Sequence, residues 1–441
     1  MSVNKERAWK ALTDLSFERV TGTPEEKKAA EMLIAECAKS GVEAHLESFE
    51  IDMPVITEAK FCITEPEYKE FVCIALGKSG NTPDEGIEAP FVYIENAVDA
   101  NLANVAGKIC LVQGRTGPDF AKKLVDKGAL GYITMRGNFF EDPEMKTELR
   151  PGSVFGKGDI DLPAIAIHIK DAEELVLAKP EKVKMIVKQD GAHKGESQNV
   201  VATIEGTDPE LKKEVLVFTA HYDSVRYSSG AWDNMTGSIT ILELLHHFAE
   251  NKPKRTVKFV WCGAEEIGLV GSRAYCKDHA DEMKDIIFNI NFDMTGVTLG
   301  YEYLCCSASE DVMHAIEYVA KLNAYPLTAK MDLYSSDSTS FANAGVPSCS
   351  FARLNPMGGA TIHNRHDTMD HLDPDSFMIT LNFVVTLSEQ ILNAPVNVIP
   401  RKFAPDLEKK MEERKKMMAK MDAEKKDEEK KEEKPEEKKA E

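Results

Sequence analysis

Acidic and histidine side chains follow three short apolar runs in the middle of the chain, at 215–220, 256–262 and 286–292. The side chains that follow these runs are His221, Asp223, Glu265, Glu266 and Asp293. Two further candidates, Asp233 and His363, lie in loops that contain glycine. Carboxylates and imidazoles gathered in one place repel or desolvate one another unless a cation lies among them. The residue types therefore predict a metal site.

A pair of divalent metal ions suits this mixture of nitrogen and oxygen ligands. Paired ions lie about 3.5 to 4 Å apart, and one carboxylate can bridge them while a water or hydroxide is held between them. Zinc binds histidine and carboxylate ligands together. We predict that Asp233 is the bridge. The two metal sites are then completed by His221 with Asp293 and by Glu266 with His363.

Two more acidic side chains, Glu265 and Asp223, are candidates for proton transfer and for orienting a ligand at this site. Glu265 is adjacent to the predicted ligand Glu266, and neighbouring loop residues can point in different directions. We predict that Glu265 is the general base that takes a proton from the shared water. Asp223 lies two residues after His221, and we predict that it holds the imidazole of His221 in one tautomer.

The loop around His363 contains more than one candidate ligand. His366 and His371 lie in the same loop, and spacing alone does not choose among the three histidines. Asp367 follows His363 by four residues, and we expect it to orient that histidine as Asp223 orients His221.

Strands and helices must hold these side chains in place. The runs 215–220, 256–262 and 286–292 have the length and apolar content of buried strands. In open α/β sheets the carboxyl ends of the strands face the ligand crevice, so the three strand ends would present their side chains to one place. After Asp233, apolar residues repeat at helical spacing, which places Asp233 where a loop turns into a helix.

The first helix is predicted near the N-terminus, from residue 24 to about residue 40. Thr23 and Glu26 have the spacing of a capping box, and Pro24 occupies the first helical position. Gly41 ends the pattern.

Composition restricts the partners and the location of the protein. The chain has 441 residues, 43% of them hydrophobic, and a net charge of −20, which argues against nucleic acid and anionic membranes as partners. No apolar run is long enough for a membrane helix, and the N-terminus lacks a signal-peptide pattern. The nine cysteines show no CxxC spacing, which indicates free thiols. We therefore expect a cytoplasmic protein.

Changes in pattern along the chain predict four segments. Residues 1–53 form the N-terminal part of the main domain, and residues 54–190 form a β-rich insert without an acidic or histidine cluster. Residues 191–400 complete the main domain and carry the metal site. Residues 401–441 are a Lys- and Glu-rich tail that we expect to be helical or disordered.

Five segments of the main domain resemble the co-catalytic zinc aminopeptidases, a family that also includes glutamate carboxypeptidases. These segments occur in the family's order and are 221–223, 230–237, 263–268, 291–296 and 363–368. The resemblance implies an α/β fold, a three-layer αβα sandwich with a mixed, mostly parallel central sheet. It also implies that the insert is a protease-associated domain, on the patterns at 107–112, 120–122, 128–133 and 162–167.

For the site, the resemblance implies His363 as the ligand of the late loop, Asp233 as the bridge and Glu265 as the base. It implies two Zn²⁺ ions per chain, with Co²⁺ or Mn²⁺ as substitutes, and peptide substrates with a free N-terminus. The expected reaction is hydrolysis of the N-terminal peptide bond by a hydroxide held between the two ions. The oligomeric state is left open.

The sequence departs from the family pattern at two places. Many members have Ser-Asp-His where this chain has Ser336-Asp337-Ser338, and carboxypeptidase members have a tyrosine where this chain has Ile362. Tyr334 is then a candidate for stabilising the oxyanion. The alternatives to an aminopeptidase are a carboxypeptidase or dipeptidase of the same fold, and a catalytically silent binding protein, which would be expected to lose ligands that this chain retains.

Overall fold

The computed structural model describes residues 3–96, 98–113, 118–149, 152–153, 161–413 and 416. These residues form two compact units. We call residues 3–51 with 195–413 the large unit, and residues 52–194 the insert unit.

Nine α-helices and fifteen strands are assigned within the described residues. The helices are α1 (Lys5–Leu15), α2 (Pro24–Ala38), α3 (Pro118–Asp126), α4 (Ile169–Ala178), α5 (Thr236–Glu250), α6 (Val270–Asp278), α7 (Glu310–Leu322), α8 (Ser338–Asn343) and α9 (Pro374–Asn393). The first strands are β1 (Ala44–Glu65), β2 (Lys69–Phe71), β3 (Cys73–Gly77), β4 (Ile87–Tyr93), β5 (Ile109–Leu111), β6 (Gly131–Arg136), β7 (Gly152–Ser153) and β8 (Ala164–His168). The remaining strands are β9 (Lys182–Ile204), β10 (Val215–His221), β11 (Thr256–Cys262), β12 (Ile286–Phe292), β13 (Tyr301–Ser307), β14 (Leu327–Met331) and β15 (Ser348–Leu354).

The central sheet of the large unit is mixed and mostly parallel, as predicted. Its strand order is β14-β13-β15-β12-β10-β11-β9. Strand β10 runs parallel to both β11 and β12, β12 is parallel to β15, and β13 is parallel to β14. The antiparallel pairs are β13 with β15 and β9 with β11.

Helices cover both faces of this sheet and give the predicted three layers. Alternate residues of β10 point to opposite faces, so Phe218 joins the larger apolar core and Val217 joins the smaller one. Helices α1, α2, α5 and α9 supply the larger core. Helices α6 and α8 supply Tyr275 and Phe341 to the smaller core on the other face.

The register of the parallel strands brings their carboxyl ends together. His221 at the end of β10 pairs with Cys262 at the end of β11, and Thr219 pairs with Asn291 of β12. The loops that follow these three strands therefore start at one edge of the sheet. Helix α5 begins beside the same edge, after an irregular turn at Ala231–Met235.

The strands of the insert unit follow the order β9-β4-β5-β6-β8-β3-β7. Strands β5, β6 and β8 are parallel neighbours, and β3 is antiparallel to β8. Two apolar clusters fill this unit, one around Ile165 and Ile167 and the other around Tyr132 and Phe120.

Helix α2 starts as predicted but its cap differs in one detail. Thr23 accepts a hydrogen bond from the backbone N–H of Glu26. The carboxylate of Glu26 accepts from the N–H of Gly22, not from that of Thr23 as a capping box requires, and it also accepts from the hydroxyl of Ser197. The side chain thus ties the start of α2 to a distant loop.

Three further expectations concern membrane-crossing helices, the cysteines and the C-terminal tail. Within the described ranges, no helix combines the length and apolar composition that crossing a membrane requires. All nine cysteines are free thiols, and seven of them are buried. Of the predicted tail 401–441, residues 405–413 are helical, whereas residues 414–415 and 417–441 lie outside the described residues.

Candidate metal centre

Two groups of ligand-type side chains lie side by side where the parallel strands end. His221, Asp233 and Asp293 form the first group, and Asp233, Glu266 and His363 form the second. Within each group, the ligand atoms lie within 4.8 Å of one another. The structure therefore brings together all five side chains that the sequence suggests as ligands, with Asp233 in both groups.

Asp233 directs one carboxylate oxygen to each group. Its Oδ1 lies 3.1 Å from Nε2 of His221, and its Oδ2 lies 2.9 Å from Nε2 of His363. Asp293 Oδ1 is 3.7 Å from the same His221 nitrogen, and Glu266 Oε1 is 3.2 Å from the same His363 nitrogen. A carboxylate shared between two such groups has the arrangement of a bridging ligand.

The turn that carries Asp233 is tied to the end of β12 by its neighbour Asn234. The Asn234 amide donates to the carbonyl oxygen of Phe292 at 2.8 Å, and its oxygen accepts from the N–H groups of Met294 and Gly237. The peptide bond between Asp233 and Asn234 is cis. Asn234 thus holds the bridge and Asp293, two residues that are distant in sequence, in one arrangement.

Charges in the site strongly influence one another. Burial opposes the charge of His363, but Asp233 and Glu266 raise its pKa to about 9. Burial likewise opposes the charge of His221, and Glu265 with the neighbouring aspartates raises its pKa well above the ordinary value. Burial alone would raise the pKa of Asp233, whereas the two histidines lower it below its ordinary value. Each imidazole therefore faces carboxylates that favour a positive charge at its position.

The residues fit a pair of divalent cations. Asp293 Oδ1 is shielded from solvent and has no hydrogen-bond partner within the part of the chain that the structure describes. A buried carboxylate oxygen without a donor is costly unless a cation binds it. Two imidazoles and three carboxylates are a ligand set that first-row divalent metals accept.

Glu265 is adjacent to this ligand set and has the environment of a proton acceptor. Its carboxyl group is enclosed although the residue as a whole is half-buried. Burial raises its pKa well above the ordinary value, and Glu266, Asp337 and Asp293 raise it further, although His221 opposes them. A carboxyl group in such a place holds a proton more readily than a solvated one, as general acid–base chemistry requires.

Asp223 contacts more than the histidine that the sequence suggests. Its Oδ1 is 3.5 Å from Nδ1 of His221, and its backbone oxygen is 3.3 Å from the same nitrogen. The same carboxylate accepts hydrogen bonds from the backbone N–H groups of Glu265 at 3.1 Å and Glu266 at 3.2 Å. Thr21 donates its hydroxyl at 2.9 Å to Oδ2 of Asp223, the oxygen that also accepts from the N–H of Glu266. Asp223 therefore positions the turn that carries Glu265 and Glu266.

Asp367 acts on the other end of the site. Its carboxylate accepts from the N–H groups of Trp232 at 2.8 Å and of Asp233 at 3.2 Å. Burial and the nearby Asp233 raise the pKa of Asp367 to about 7. Asp367 thus supports the bridge itself, a role that its spacing from His363 does not indicate.

Of the three histidines in the late loop, His363 is the one in the ligand groups of the described residues. His363 has a φ of 65°. His371 lies in a short 3₁₀ turn and accepts hydrogen bonds from Thr298 through its backbone oxygen. The backbone N–H of His366 donates to Asn364.

Sequence patterns do not indicate two further residues, Arg19 and Thr21, that reach the site from the N-terminal segment. Arg19 is fully buried, and its guanidinium donates to carbonyl oxygens of Tyr222, Ser229 and Gly230. Both residues lie between α1 and α2, in a segment without helical or strand periodicity. The sequence of this segment therefore offers no signal that would have identified either side chain.

Residues 199–387, which contain all five ligand-type side chains and Glu265, match Peptidase family M28. The protein is therefore a peptide-bond hydrolase.

Two curated relatives are similar over most of the chain. Aminopeptidase YwaD of Bacillus subtilis is 25% identical over 370 residues, which cover 81% of this chain and 77% of the relative. Carboxypeptidase Q of Homo sapiens is 25% identical over 411 residues, which cover 86% of this chain and 85% of the relative. The two relatives remove residues from opposite ends of a peptide, as their names state.

Solved structures show the same fold. BSAP, a zinc aminopeptidase from Bacillus subtilis, has a TM-score of 0.74 at 22% identity, and the match covers 92% of this chain and 99% of that one. An aminopeptidase from Aneurinibacillus sp. strain AM-1 has a TM-score of 0.72 at 24% identity, with 90% and 96% covered. At these identities the likeness concerns the fold.

Proposed function

We propose that this protein is a zinc-dependent aminopeptidase that hydrolyses the N-terminal peptide bond of peptides. The observation that carries the proposal is Asp233, whose two carboxylate oxygens face two different histidines, His221 and His363. Each histidine has a second carboxylate beside it, which makes two adjacent sites for zinc. Two zinc ions per chain would be held, and Co²⁺ or Mn²⁺ would substitute.

The residues divide the work as follows. His221 and Asp293 would bind one ion, and Glu266 and His363 would bind the other. Asp233 would bind both ions. Paired zinc ions supply a bound water of lowered pKa and a Lewis acid for the scissile carbonyl.

Glu265 would accept the proton of the attacking water and pass it to the leaving amine. Tyr334 is the candidate for hydrogen bonding to the carbonyl oxygen as negative charge develops there. Burial raises the pKa of Tyr334, and the carboxylates of Asp293 and Asp233 raise it further, so its hydroxyl stays protonated and can donate. Replacement of Tyr334 with phenylalanine should lower kcat and leave metal binding intact.

The charge of the site supports a free amine as the recognised end of the substrate. Seven carboxyl groups interact within the site; they are Asp223, Asp233, Glu265, Glu266, Asp293, Asp337 and Asp367. Those that are ionised attract the ammonium group of a peptide N-terminus and repel a C-terminal carboxylate.

A carboxypeptidase is the second candidate, because Carboxypeptidase Q is as similar to this chain as Aminopeptidase YwaD is. We also propose that the insert unit is a protease-associated domain, on the sequence patterns given above and its separate β-rich core. The free thiols suit the cytoplasm, which we propose as the location.

The test is release of single residues from peptides with a free or an acetylated N-terminus, with added zinc. We expect cleavage of free peptides from the N-terminus and none of acetylated ones. Glu265→Gln should bind zinc normally but turn over about 10²- to 10⁴-fold more slowly. Glu205→Gln, at a surface ion pair with Lys212, is the matched control and should behave as wild type. Cleavage from the C-terminus of acetylated peptides would establish the second candidate instead.

A further inference from the structure

Arg19 is a fully buried arginine whose guanidinium donates to backbone carbonyl oxygens. Its Nε donates to the carbonyl oxygen of Tyr222 at 2.6 Å, and its Nη2 donates to that of Gly230 at 3.0 Å. Its Nη1 donates to the carbonyl oxygens of Leu15, Phe17 and Ser229. A planar guanidinium with five N–H groups suits such a set of acceptors, whereas a lysine ammonium has only three.

Three of these acceptors, the carbonyl oxygens of Tyr222, Ser229 and Gly230, lie at the two ends of the loop that joins His221 to Asp233. Tyr222 is the first residue of the loop, and Gly230 lies three residues before Asp233. The backbone of Arg19 is bound to the same loop, because its N–H donates to Ser224 Oγ and its carbonyl accepts from the N–H of Ser224. One side chain therefore fixes the separation of two metal ligands.

Gly230 allows this close approach. It has a φ of 55°, and a Cβ at this position would lie 2.8 Å from Nη2 of Arg19 and 2.7 Å from Cβ of Ser224. A residue larger than glycine would push the loop off the guanidinium.

Thr21 connects the same N-terminal segment to the second ligand loop. Its hydroxyl donates to Asp223, which in turn accepts from the N–H groups of Glu265 and Glu266. Through Arg19, the N-terminal segment thus contacts the loop that contains Asp233. Through Thr21 and Asp223, it is linked to the turn that contains Glu266.

The charge of Arg19 adds to its geometry. Burial lowers its pKa to about 10, while Asp367, Asp223, Asp233 and Glu266 act in the opposite direction. Arg19 therefore stays protonated at neutral pH and places a fixed positive charge behind carboxylates that would otherwise repel one another.

We propose that Arg19, together with Thr21, is a positioning residue of the metal centre, which holds the two ligand loops at the separation that a pair of metal ions requires. The proposal rests on the proposed function in one respect, the binding of two divalent ions. It does not depend on which end of a peptide is cleaved.

Three variants of the full-length protein test the proposal. Arg19→Lys keeps the charge and loses the planar set of donors, and Thr21→Val removes one hydroxyl with little change of volume. Arg255→Lys is the matched control. Arg255 is also fully buried and donates to carbonyl oxygens of Ile391, Leu392 and Ala394, but it lies at the opposite end of β11 from the Glu265 turn.

Zinc affinity is measured by competition with a chromogenic chelator, and site geometry by the visible spectrum of the Co²⁺-loaded protein. Melting temperature reports stability separately. We expect Arg19→Lys to bind zinc about 10- to 100-fold more weakly, as loss of residues that orient metal ligands does elsewhere, and to change the Co²⁺ spectrum. Thr21→Val should show a smaller loss in the same direction. Arg255→Lys should lower the melting temperature and leave both metal readouts as in wild type.

Wild-type zinc affinity in Arg19→Lys would overturn the proposal. So would an equal loss of affinity in Arg255→Lys, because the effect would then reflect stability alone. If Arg19→Lys does not fold, Thr21→Val decides, and unchanged zinc affinity there counts against the proposal. A wild-type protein that binds no zinc would refute both proposals, whereas one that binds two ions but trims no free peptide would refute the aminopeptidase alone.

Discussion

Replacement of Asp223 with asparagine should weaken metal binding without removing a ligand. The carboxylate of Asp223 is fully buried, and its Oδ1 and Oδ2 accept separately from the N–H groups of Glu265 and Glu266. An asparagine has nearly the same shape, but one of its two positions carries an NH₂ group, which cannot accept. Whichever way the amide is turned, one backbone N–H of the Glu265–Glu266 turn then faces another donor.

The magnitude follows from this single mismatch. A buried donor left without an acceptor costs about 1–3 kcal/mol. The cost lies at the turn that carries Glu266, so part of it should appear as lost metal affinity, for which about 10- to 100-fold is typical of residues that orient ligands. These two figures agree, because a tenfold change in affinity corresponds to about 1.4 kcal/mol.

Competition with a chelator gives the zinc affinity, and urea unfolding of the metal-free protein gives the stability. The control is Asp208→Asn. Asp208 also accepts from two backbone N–H groups, of Glu210 and Leu211, but it is only half-buried, whereas Asp223 is fully buried, and it belongs to a different loop. It should lose little stability and no zinc affinity. Equal zinc affinity in Asp223→Asn and the wild type would refute the reasoning, since the turn would then hold Glu266 without the carboxylate.

Three further predictions concern other parts of the large unit. Gly230→Ala should lower the free energy of unfolding by about 1–3 kcal/mol for the clash and by about 1–2 kcal/mol for the left-handed backbone. The control Gly41→Ala, at a glycine with a φ of 68° and no atom within 4 Å of an added Cβ, should show only the backbone cost in a denaturant titration. Equal losses in the two variants would contradict the close approach of Gly230 to Arg19. Burial opposes protonation of His279, but hydrogen bonds to Glu282 and Glu47 raise its pKa, so its ion pairs should stabilise the fold below about pH 6.5 and lose this effect as the pH rises through the folded value. His279→Asn should therefore be less stable than wild type at pH 5.5 and equal at pH 9, and a constant difference would argue against the ion pairs. Zinc at about 100 times its dissociation constant should stabilise the protein by about 2.7 kcal/mol, and EDTA should reverse the shift in melting temperature; an equal response in Asp233→Asn would show that the ions bind elsewhere.

Local patterns were sufficient for the elements that hold the site. The apolar runs at 215–220, 256–262 and 286–292 are strands β10, β11 and β12 within one residue, because buried parallel strands require continuous apolar sequence. The prediction that Asp233 lies where a loop turns into a helix agrees with the irregular turn before α5.

The contacts between distant segments could not be read from such patterns. The Thr23–Glu26 spacing predicts a capping box, but the carboxylate of Glu26 instead binds Gly22 and Ser197, and Ser197 lies 171 residues away. Helical spacing predicts hydrogen bonds within one segment, but it gives no information about a distant loop that packs against that segment. Arg19 is a stronger example, because the loop carbonyl oxygens that its guanidinium binds belong to Tyr222, Ser229 and Gly230, which follow it by more than two hundred positions.

That separation also has a consequence for the order in which the protein is made. Arg19 and Gly230 are 211 residues apart. At a synthesis rate of about 5–20 residues per second, the ribosome therefore adds Gly230, the last acceptor of Arg19, roughly 10 to 40 s after it adds Arg19. During that interval the ribosome completes residues 52–194, which have a core of their own. Until then the guanidinium of Arg19 can hydrogen bond to water instead of to the carbonyl oxygen of Gly230. If His363 binds metal as proposed, the complete set of ligand-type side chains would exist only after residue 363 has been synthesised, and metal binding would follow the synthesis of most of the chain.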